Sequence, residues 1–232
     1  GQTTATNTAV LHPLLHSNTS DLTQQRYTSI FNGDEFFLND HQVKGQRVLP
    51  GVAYLEMARA AVAQAMPASS EQGTDTVLAL NNMVWAQPIV VSDHKQVEIA
   101  LFASESGAID YEVYSTEQEQ EIVHAQGQAV FSTFNPQSRP EALDIQQLQA
   151  QMDQGQLGPD QLYTAFNQMG INYGPAHRGV TAVYQGDNQL LAQLQLPTVV
   201  ENNTVGFAVL DKLKEMNYPN IYHSIKSTHE YI

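Results

Sequence analysis

The sequence predicts an α+β protein built from two similar halves, each pairing an antiparallel sheet with one apolar helix. Three observations point to it. A helix-like run from Val52 to Ala65 starts directly after Pro50-Gly51. Six strand-like runs follow, separated by turns too short to hold a crossover helix, so most of them pair antiparallel. After a Gln- and Pro-rich stretch comes a second round of loop, strands and helix. No exact repeat joins the halves, so their likeness rests on the order of elements.

The elements can be justified in turn. Residues 1–10 are polar and threonine-rich and read as a disordered leader. Arg26 to Phe31 alternates as a strand does. Pro50 suits the first position of a helix, where a missing N–H costs nothing. Val52, Leu55, Ala58, Val62 and Ala65 fall on one stripe of that helix. Thr76–Leu80, Met83–Ala86, Ile89–Val91, Gln96–Phe102, Ile109–Ser115 and Ile122–Phe131 read as strands. The first half therefore spans 11–134 and a linker 135–156, with a short helix from Ile145 to Met152. The second half, 157–232, holds a helix over Gln161–Met169, a loop over Gly170–Pro175, a hairpin of Val180–Tyr184 with Gln189–Leu196, and a helix over Val209–Met216. The tail beyond about residue 211 differs in composition from what precedes it.

Composition narrows the function. The 232 residues are 42% hydrophobic and 15% charged, enough for a sizeable core. No apolar run approaches the roughly 20 residues that span a bilayer. There is no basic, apolar signal pattern at the start, which leads to an expectation of a cytoplasmic protein. The absence of cysteine excludes disulfides, thiolate nucleophiles and cysteine-based metal sites. A net charge of −14, with ten basic residues scattered among 24 acidic ones, argues against nucleic acid and anionic membranes as partners. Arg47, Arg59 and Arg178 are the basic residues near the motifs described next, and so the candidates for a local docking patch on an acidic partner.

Chemistry concentrates at His41-Gln-Val-Lys-Gly45-Gln-Arg-Val-Leu-Pro50-Gly51. A titratable imidazole, a bare glycine amide and a helix start within eleven residues supply a base, an oxyanion donor and a positive dipole end. These are what removing a proton beside a carbonyl requires. A second segment, Gly170-Ile-Asn-Tyr173-Gly174-Pro175, sets one tyrosine in a turn-rich loop. A third, Gly206-Phe207-Ala-Val-Leu-Asp211-Lys-Leu-Lys-Glu215, offers a carboxyl group at a helix start. His12 and His16 read as structural, and His94, His124, His177, His223 and His229 show no metal-ligand spacing. No phosphate loop, nucleophile elbow or dinucleotide fingerprint occurs.

The spacings His-x-x-x-Gly-x-x-x-x-Pro and Gly-x-x-Tyr-Gly-Pro, in that order, resemble the first two signatures of the dehydratase domains of modular polyketide and fatty acid synthases. Leu11-His12-Pro13 resembles the family's opening. The third segment matches less well: Asp211 falls at the family's aspartate and Glu215 at its glutamine or histidine, while Gly206 and Phe207 replace the usual His-Pro. The resemblance covers about residues 11–211. It implies a double hot-dog fold, two helices each wrapped by an antiparallel sheet with the active site at their junction. Only 21 residues follow Asp211, so either the second hot dog is shortened or its tail has another origin.

The resemblance further implies a hydro-lyase of polyketide and antibiotic biosynthesis, commonly dimeric, working beside other synthase domains. Its β-hydroxyacyl substrate rides on the phosphopantetheine of an acyl carrier protein, and no cofactor or metal is needed. His41 would be the base and Asp211 the acid, kept protonated by an apolar tunnel. Gly45 would supply the oxyanion donor and Tyr173 would assist the acid. Pro50, Gly51, Gly174, Pro175 and Glu215 would help to position the substrate. Two alternatives stay open: double-bond migration, pyran closure or branching on the same scaffold, and a catalytically inactive scaffold that binds the carrier protein.

Overall fold

The computed structural model describes residues 10–66, 76–133, 144–200 and 207, and the backbone of 221–226. The first part of the chain forms β1 (Ser17–Asn18), β2 (Gln25–Phe31), α1 (Phe36–Asn39), β3 (His41–Val43), β4 (Gln46–Arg47) and α2 (Gly51–Ala65). Four long strands follow: β5 (Thr76–Trp85), β6 (Lys95–Ala103), β7 (Ile109–Glu117) and β8 (Gln120–Thr133). The rest comprises α3 (Ile145–Ala150), β9 (Gly155–Leu157), α4 (Pro159–Gln168), β10 (Ile171–Tyr173), β11 (Val180–Gly186), β12 (Gln189–Leu194) and β13 (Ile221–Lys226).

Two compact units result, and their division is not a single cut at the linker. One contains Gly1–Asp34 with Leu49–Asn135, the other Glu35–Val48 with Pro136–Ile232. The segment carrying His41 joins the second unit because its hairpin pairs with β10 and not with the large sheet.

In the first unit six antiparallel strands run in the order β1-β2-β6-β7-β8-β5, and α2 packs on β5 to β8. Alternation places Tyr27, Phe31, Val97, Ile99, Tyr111 and Val113 inward, all but fully buried, and Met57, Ala58, Ala61 and Val62 of the helix are buried as well. Burying each large apolar side chain of this kind stabilises by about 1.5–3 kcal/mol. The buried stripe of α2 is Ala53, Tyr54, Met57, Ala58, Ala61 and Val62, rotated from the expected one, and Val52 is 70% exposed. The helix is apolar over most of its circumference, so periodicity alone fixes its orientation poorly. The Tyr54 hydroxyl settles it by accepting the Ile89 N–H at 3.0 Å. Burial pushes that phenol's pKa up to about 12.

Other expectations shift locally. The two runs at 76–80 and 83–86 merge into β5, interrupted by a bulge between Asn81 and Val84 with Asn82 at φ 52°. Ile89–Val91 is not one of the strands; its Ile89 carbonyl accepts the Leu49 N–H.

The inner face of β8 carries Ala125, Gly127 and Ala129, all buried, with Tyr111 of β7 directly opposite Gly127. A Cβ at Gly127 would lie 2.5 Å from the Tyr111 hydroxyl oxygen and 3.2 Å from the Asn81 carbonyl oxygen. The phenol therefore occupies the space of the missing side chain, and its hydroxyl reaches the Met83 sulfur at 3.0 Å.

In the second unit, β13-β12-β11-β9 form an antiparallel sheet and β10-β3-β4 a small three-stranded one. Pro159 opens α4, and the Gly158 N–H donates to the Gln161 side-chain oxygen at 3.2 Å. The helix packs on β10 and β11. Residues 170–175, expected as loop, contain β10; the expected linker contains α3, and β9 straddles its end at residue 156. Past the atypical residues near 211, β13 pairs with β12 from Ile221↔Leu194 to Lys226↔Gln189. The leader up to residue 9 and the expected helix over 209–216, with Asp211 and Glu215, lie outside the described residues.

Two outcomes follow from the first unit. Gly127→Ala displaces Tyr111 and costs about 1–3 kcal/mol, as overpacking does; urea unfolding of wild type and variant measures it. His124 is buried, with Nε2 2.8 Å from Ser115 Oγ and Nδ1 3.2 Å from the Gln87 carbonyl, and burial lowers its pKa. Above its unfolded value of about 6.5 the ring is neutral in both states; below it, the unfolded chain binds a proton that the native ring resists. Native stability therefore falls as pH drops below about 6.5, and less steeply in His124→Gln. Denaturation midpoints between pH 8 and 5 compare the two slopes.

Candidate active site

His41 opens β3, and Val48 holds it twice. The Val48 N–H donates to the His41 carbonyl at 3.1 Å, and His41 Nδ1 lies 2.7 Å from the Val48 carbonyl oxygen. A carbonyl only accepts, so Nδ1 carries the hydrogen and Nε2 keeps its lone pair in the neutral ring. That is the tautomer a base needs. The reversal from β3 to β4 uses Lys44 and Gly45 at φ 50° and 78°, the two positive values of a tight hairpin turn.

Gly45 is thus required by its backbone, since a Cβ there would meet nothing within 4 Å. Its place is the tip of the hairpin. Pro50 caps α2 and Gly51 begins it, leaving the Gly51 N–H among the first-turn amides without an intrahelical acceptor. The Trp85 indole N–H donates to the Gly51 carbonyl at 3.2 Å.

The second motif forms the strand that pairs with the first. β10 lies antiparallel to β3 with Tyr173 opposite His41, Asn172 opposite Gln42 and Ile171 opposite Val43. Hydrogen bonds extend the ladder at both ends: the Lys44 N–H donates to Gly170 O at 2.7 Å, the Gly174 N–H to Asp40 O at 2.8 Å. Hydrogen-bonded pairs alternate along such a ladder, so His41 and Tyr173 form one of the non-bonded pairs, whose side chains approach most closely. Their ring centroids are 5.6 Å apart. Tyr173 is also held edge-on by Phe166 at 5.3 Å and Tyr163 at 6.2 Å, both on α4.

Asp40 points away from its neighbour and into the second motif. Its Oδ2 accepts the Ala176 N–H at 2.7 Å, and its carboxyl group fills the space beside Gly174, where a Cβ would lie 2.3 Å from Oδ1. Pro175 starts the single turn Pro175–His177, which brings the His177 ring to 5.6 Å from His41 and 6.2 Å from Tyr173. Desolvation, then the nearby His41, lowers the His177 pKa.

Arg178 lies 5.3 Å over the Tyr163 ring and donates from Nε to the Tyr173 carbonyl at 2.8 Å. Beside it a shallow hollow is lined by Asp160, Tyr163, Thr164 and Asn167. The other two arginines proposed for docking differ: Arg59 forms a two-pronged pair with Glu56, while Arg47 sits in β4. His12 and His16 accept backbone N–H groups, from Leu14 and Ile30. Of the third motif only Phe207 is described; it packs edge-on against Phe36 and Phe37 of α1, directly ahead of His41.

His41, Tyr173, Gly174 and Pro175 therefore lie together, and Asp40 and His177, which the sequence did not single out as site residues, join them. An aspartate turned onto a Gly-Pro motif has no sequence signature. His177, four residues after Tyr173, could have been suspected from that spacing alone.

Residues 12–116 match the family model "Polyketide synthase dehydratase domain", and residues 140–209 match "Polyketide synthase dehydratase N-terminal domain". A dehydratase domain of a trans-AT polyketide synthase from Brevibacillus brevis superposes with TM-score 0.79 at 44% identity, covering 85% of this chain and 73% of that one. The chain belongs to the polyketide synthase dehydratase family. Its fold is accordingly the double hot-dog. The dehydratase domain of RzxB from Pseudomonas fluorescens is similar at TM-score 0.71 and 31% identity, covering 86% and 69% of the two chains. Polyketide synthase PksN of Bacillus subtilis (strain 168) is 47% identical over 192 residues, 81% of this chain. The chain spans only 3% of that synthase's length. Among the described residues of this dehydratase-family domain, no group of three or more His, Asp or Glu is placed to hold a metal ion, and no helix is long and apolar enough to cross a membrane.

The packing of Asp40 on Gly174 gives a direct test. Gly174→Ala drives its methyl into the carboxyl group, breaks the contact with the Ala176 N–H and pulls at the end of the β3–β10 ladder. We expect a loss of about 1–3 kcal/mol, with amide exchange speeding up first at Gln42 to Lys44. Unchanged exchange there would sever Asp40 from the pairing.

Proposed function

We propose that this domain is an active dehydratase, removing water from a β-hydroxyacyl thioester on the phosphopantetheine of an acyl carrier protein and leaving the α,β-unsaturated chain. The observation that carries this reading is His41 with Nδ1–H fixed on Val48 and Nε2 bare, paired across the ladder with Tyr173.

His41 Nε2 takes the α-proton, and the electrons of that C–H bond form the new C=C bond as the β C–O bond breaks. The Val48 carbonyl steadies the charge that develops on the ring. A backbone N–H of the first motif, that of Gly45 on the sequence pattern, meets the enolate-like oxygen. Tyr173 orients the β-hydroxyl, and Asp211, with Glu215 beside it on the motif's pattern, delivers the proton that lets it leave as water. No cofactor takes part. The carrier protein, neighbouring synthase domains and a second copy of this domain are the expected partners, in the cytoplasm.

Intact-mass measurement on a carrier-bound β-hydroxyacyl chain tests this. Wild type should lose one water. His41→Ala should slow that by about 10²–10⁴-fold, the usual contribution of a positioned base, and Asp211→Asn should slow it likewise. Water loss that survives Asp211→Asn moves the acid elsewhere. Unchanged mass with α-proton exchange in deuterated buffer would indicate isomerisation, ring closure or branching chemistry. Neither water loss nor exchange would leave the inactive scaffold.

A further inference from the structure

His177 is an ionisable side chain that the proposed mechanism leaves idle, although it stands at the centre of the site. Its ring hydrogen-bonds the Phe37 backbone, while its Nε2 is closed to solvent and has no hydrogen-bond partner among the described residues. The bond to Phe37 therefore uses Nδ1. A carbonyl is the acceptor there, so Nδ1 carries the hydrogen and Nε2 is a bare lone pair. Leaving a buried acceptor unmatched is costly, and native structures rarely keep one without a reason.

Two neighbours carry hydrogens that could meet this lone pair: the Tyr173 hydroxyl and, once it is protonated, His41. The two imidazole centroids lie 5.6 Å apart with the rings tilted by 53° to each other. The remaining charged groups nearby are occupied. Asp40 is bound to the Ala176 N–H and Arg178 to the Tyr173 carbonyl. Burial and the proximity of His41 both keep His177 neutral, with its lone pair available.

We propose that His177 is a positioning residue for the His41 base: its Nε2 accepts an N–H that exists only while His41 is protonated, and so stabilises the imidazolium formed when the α-proton is removed. The neutral His41 gains nothing from it, so the contact forms once the proton has left the α-carbon and favours the charged ring over the neutral one. This assignment deepens the dehydratase reading and rests on it for its catalytic meaning. The contact between the two rings can nevertheless be observed without any substrate.

The first measurement is therefore ¹⁵N NMR of the imidazoles in the substrate-free protein. As His41 is titrated to its protonated form, the His177 Nε2 signal should move from that of a free acceptor to that of a bonded one. A signal indifferent to His41 overturns the proposal whatever the enzyme does. The second is α-proton exchange on the carrier-bound substrate. His177→Phe should lower kcat for exchange by about 10–100-fold with KM unchanged, equivalent to about 1.4–2.8 kcal/mol of transition-state stabilisation. His177→Gln, which keeps an acceptor, should recover part of that. The loss should persist in a Tyr173→Phe background; its disappearance there would assign the lone pair to the tyrosine hydroxyl and refute the role at His41. Wild-type rates in a folded His177→Phe would refute it as well, while dehydration by wild type would show the broader reading intact.

Discussion

Everything in the site depends on the pairing of β3 with β10. Each is three residues long, too short to persist as an isolated ribbon. The ladder survives because bonds at Asp40–Gly174 and Lys44–Gly170 lengthen it to five residue pairs, and because α4 backs it through Phe166 and Tyr163. Register here has a direct chemical consequence. A slip by one residue would turn Tyr173 to the opposite face from His41, and the base would lose its neighbour without any change in sequence.

The same ladder determines which groups are free to act. Val48 occupies one nitrogen of His41, and α1, through Phe37, occupies one nitrogen of His177. Each ring thus has one nitrogen committed to backbone and one left over. Backbone carbonyls only accept, so each neutral ring keeps its hydrogen on the committed nitrogen. Asp40, next to His41 in sequence, is turned instead onto the Ala176 N–H. Among the described residues it is the carbonyl of Val48 that orients His41.

The sequence made the long strands legible because residues such as Val97, Ile99, Tyr111 and Val113 alternate cleanly between core and surface. It made the rotation of α2 illegible, since an apolar residue lies on nearly every side and the deciding contact is a single bond from Ile89 to Tyr54. The three-residue strands β9 and β10 were read as linker and loop. Runs that short carry no period, and only pairing partners distant in sequence define them. For the site, the motifs brought His41 and Tyr173 to notice as separate features. That they face each other is a tertiary fact, as are the turns of Asp40 and His177 into the same cluster.

The motif glycines show why chemistry and architecture are hard to separate on such a pattern. Gly45 is called for by a left-handed turn, Gly170 by the left-handed residue (φ 81°) that ends α4 and starts β10, and Gly174 by the carboxyl group pressed against it. Each has a sufficient physical reason that involves no substrate. Yet all three reasons serve one outcome, a five-pair ladder with His41 and Tyr173 on its close-approach face. A pattern of glycines around a histidine and a tyrosine is therefore mostly a description of how to build that ladder, and the two rings occupy only two of its positions. A chain that kept both aromatic rings but lost Gly174 would keep the motif's chemistry on paper while losing the register that makes it a site.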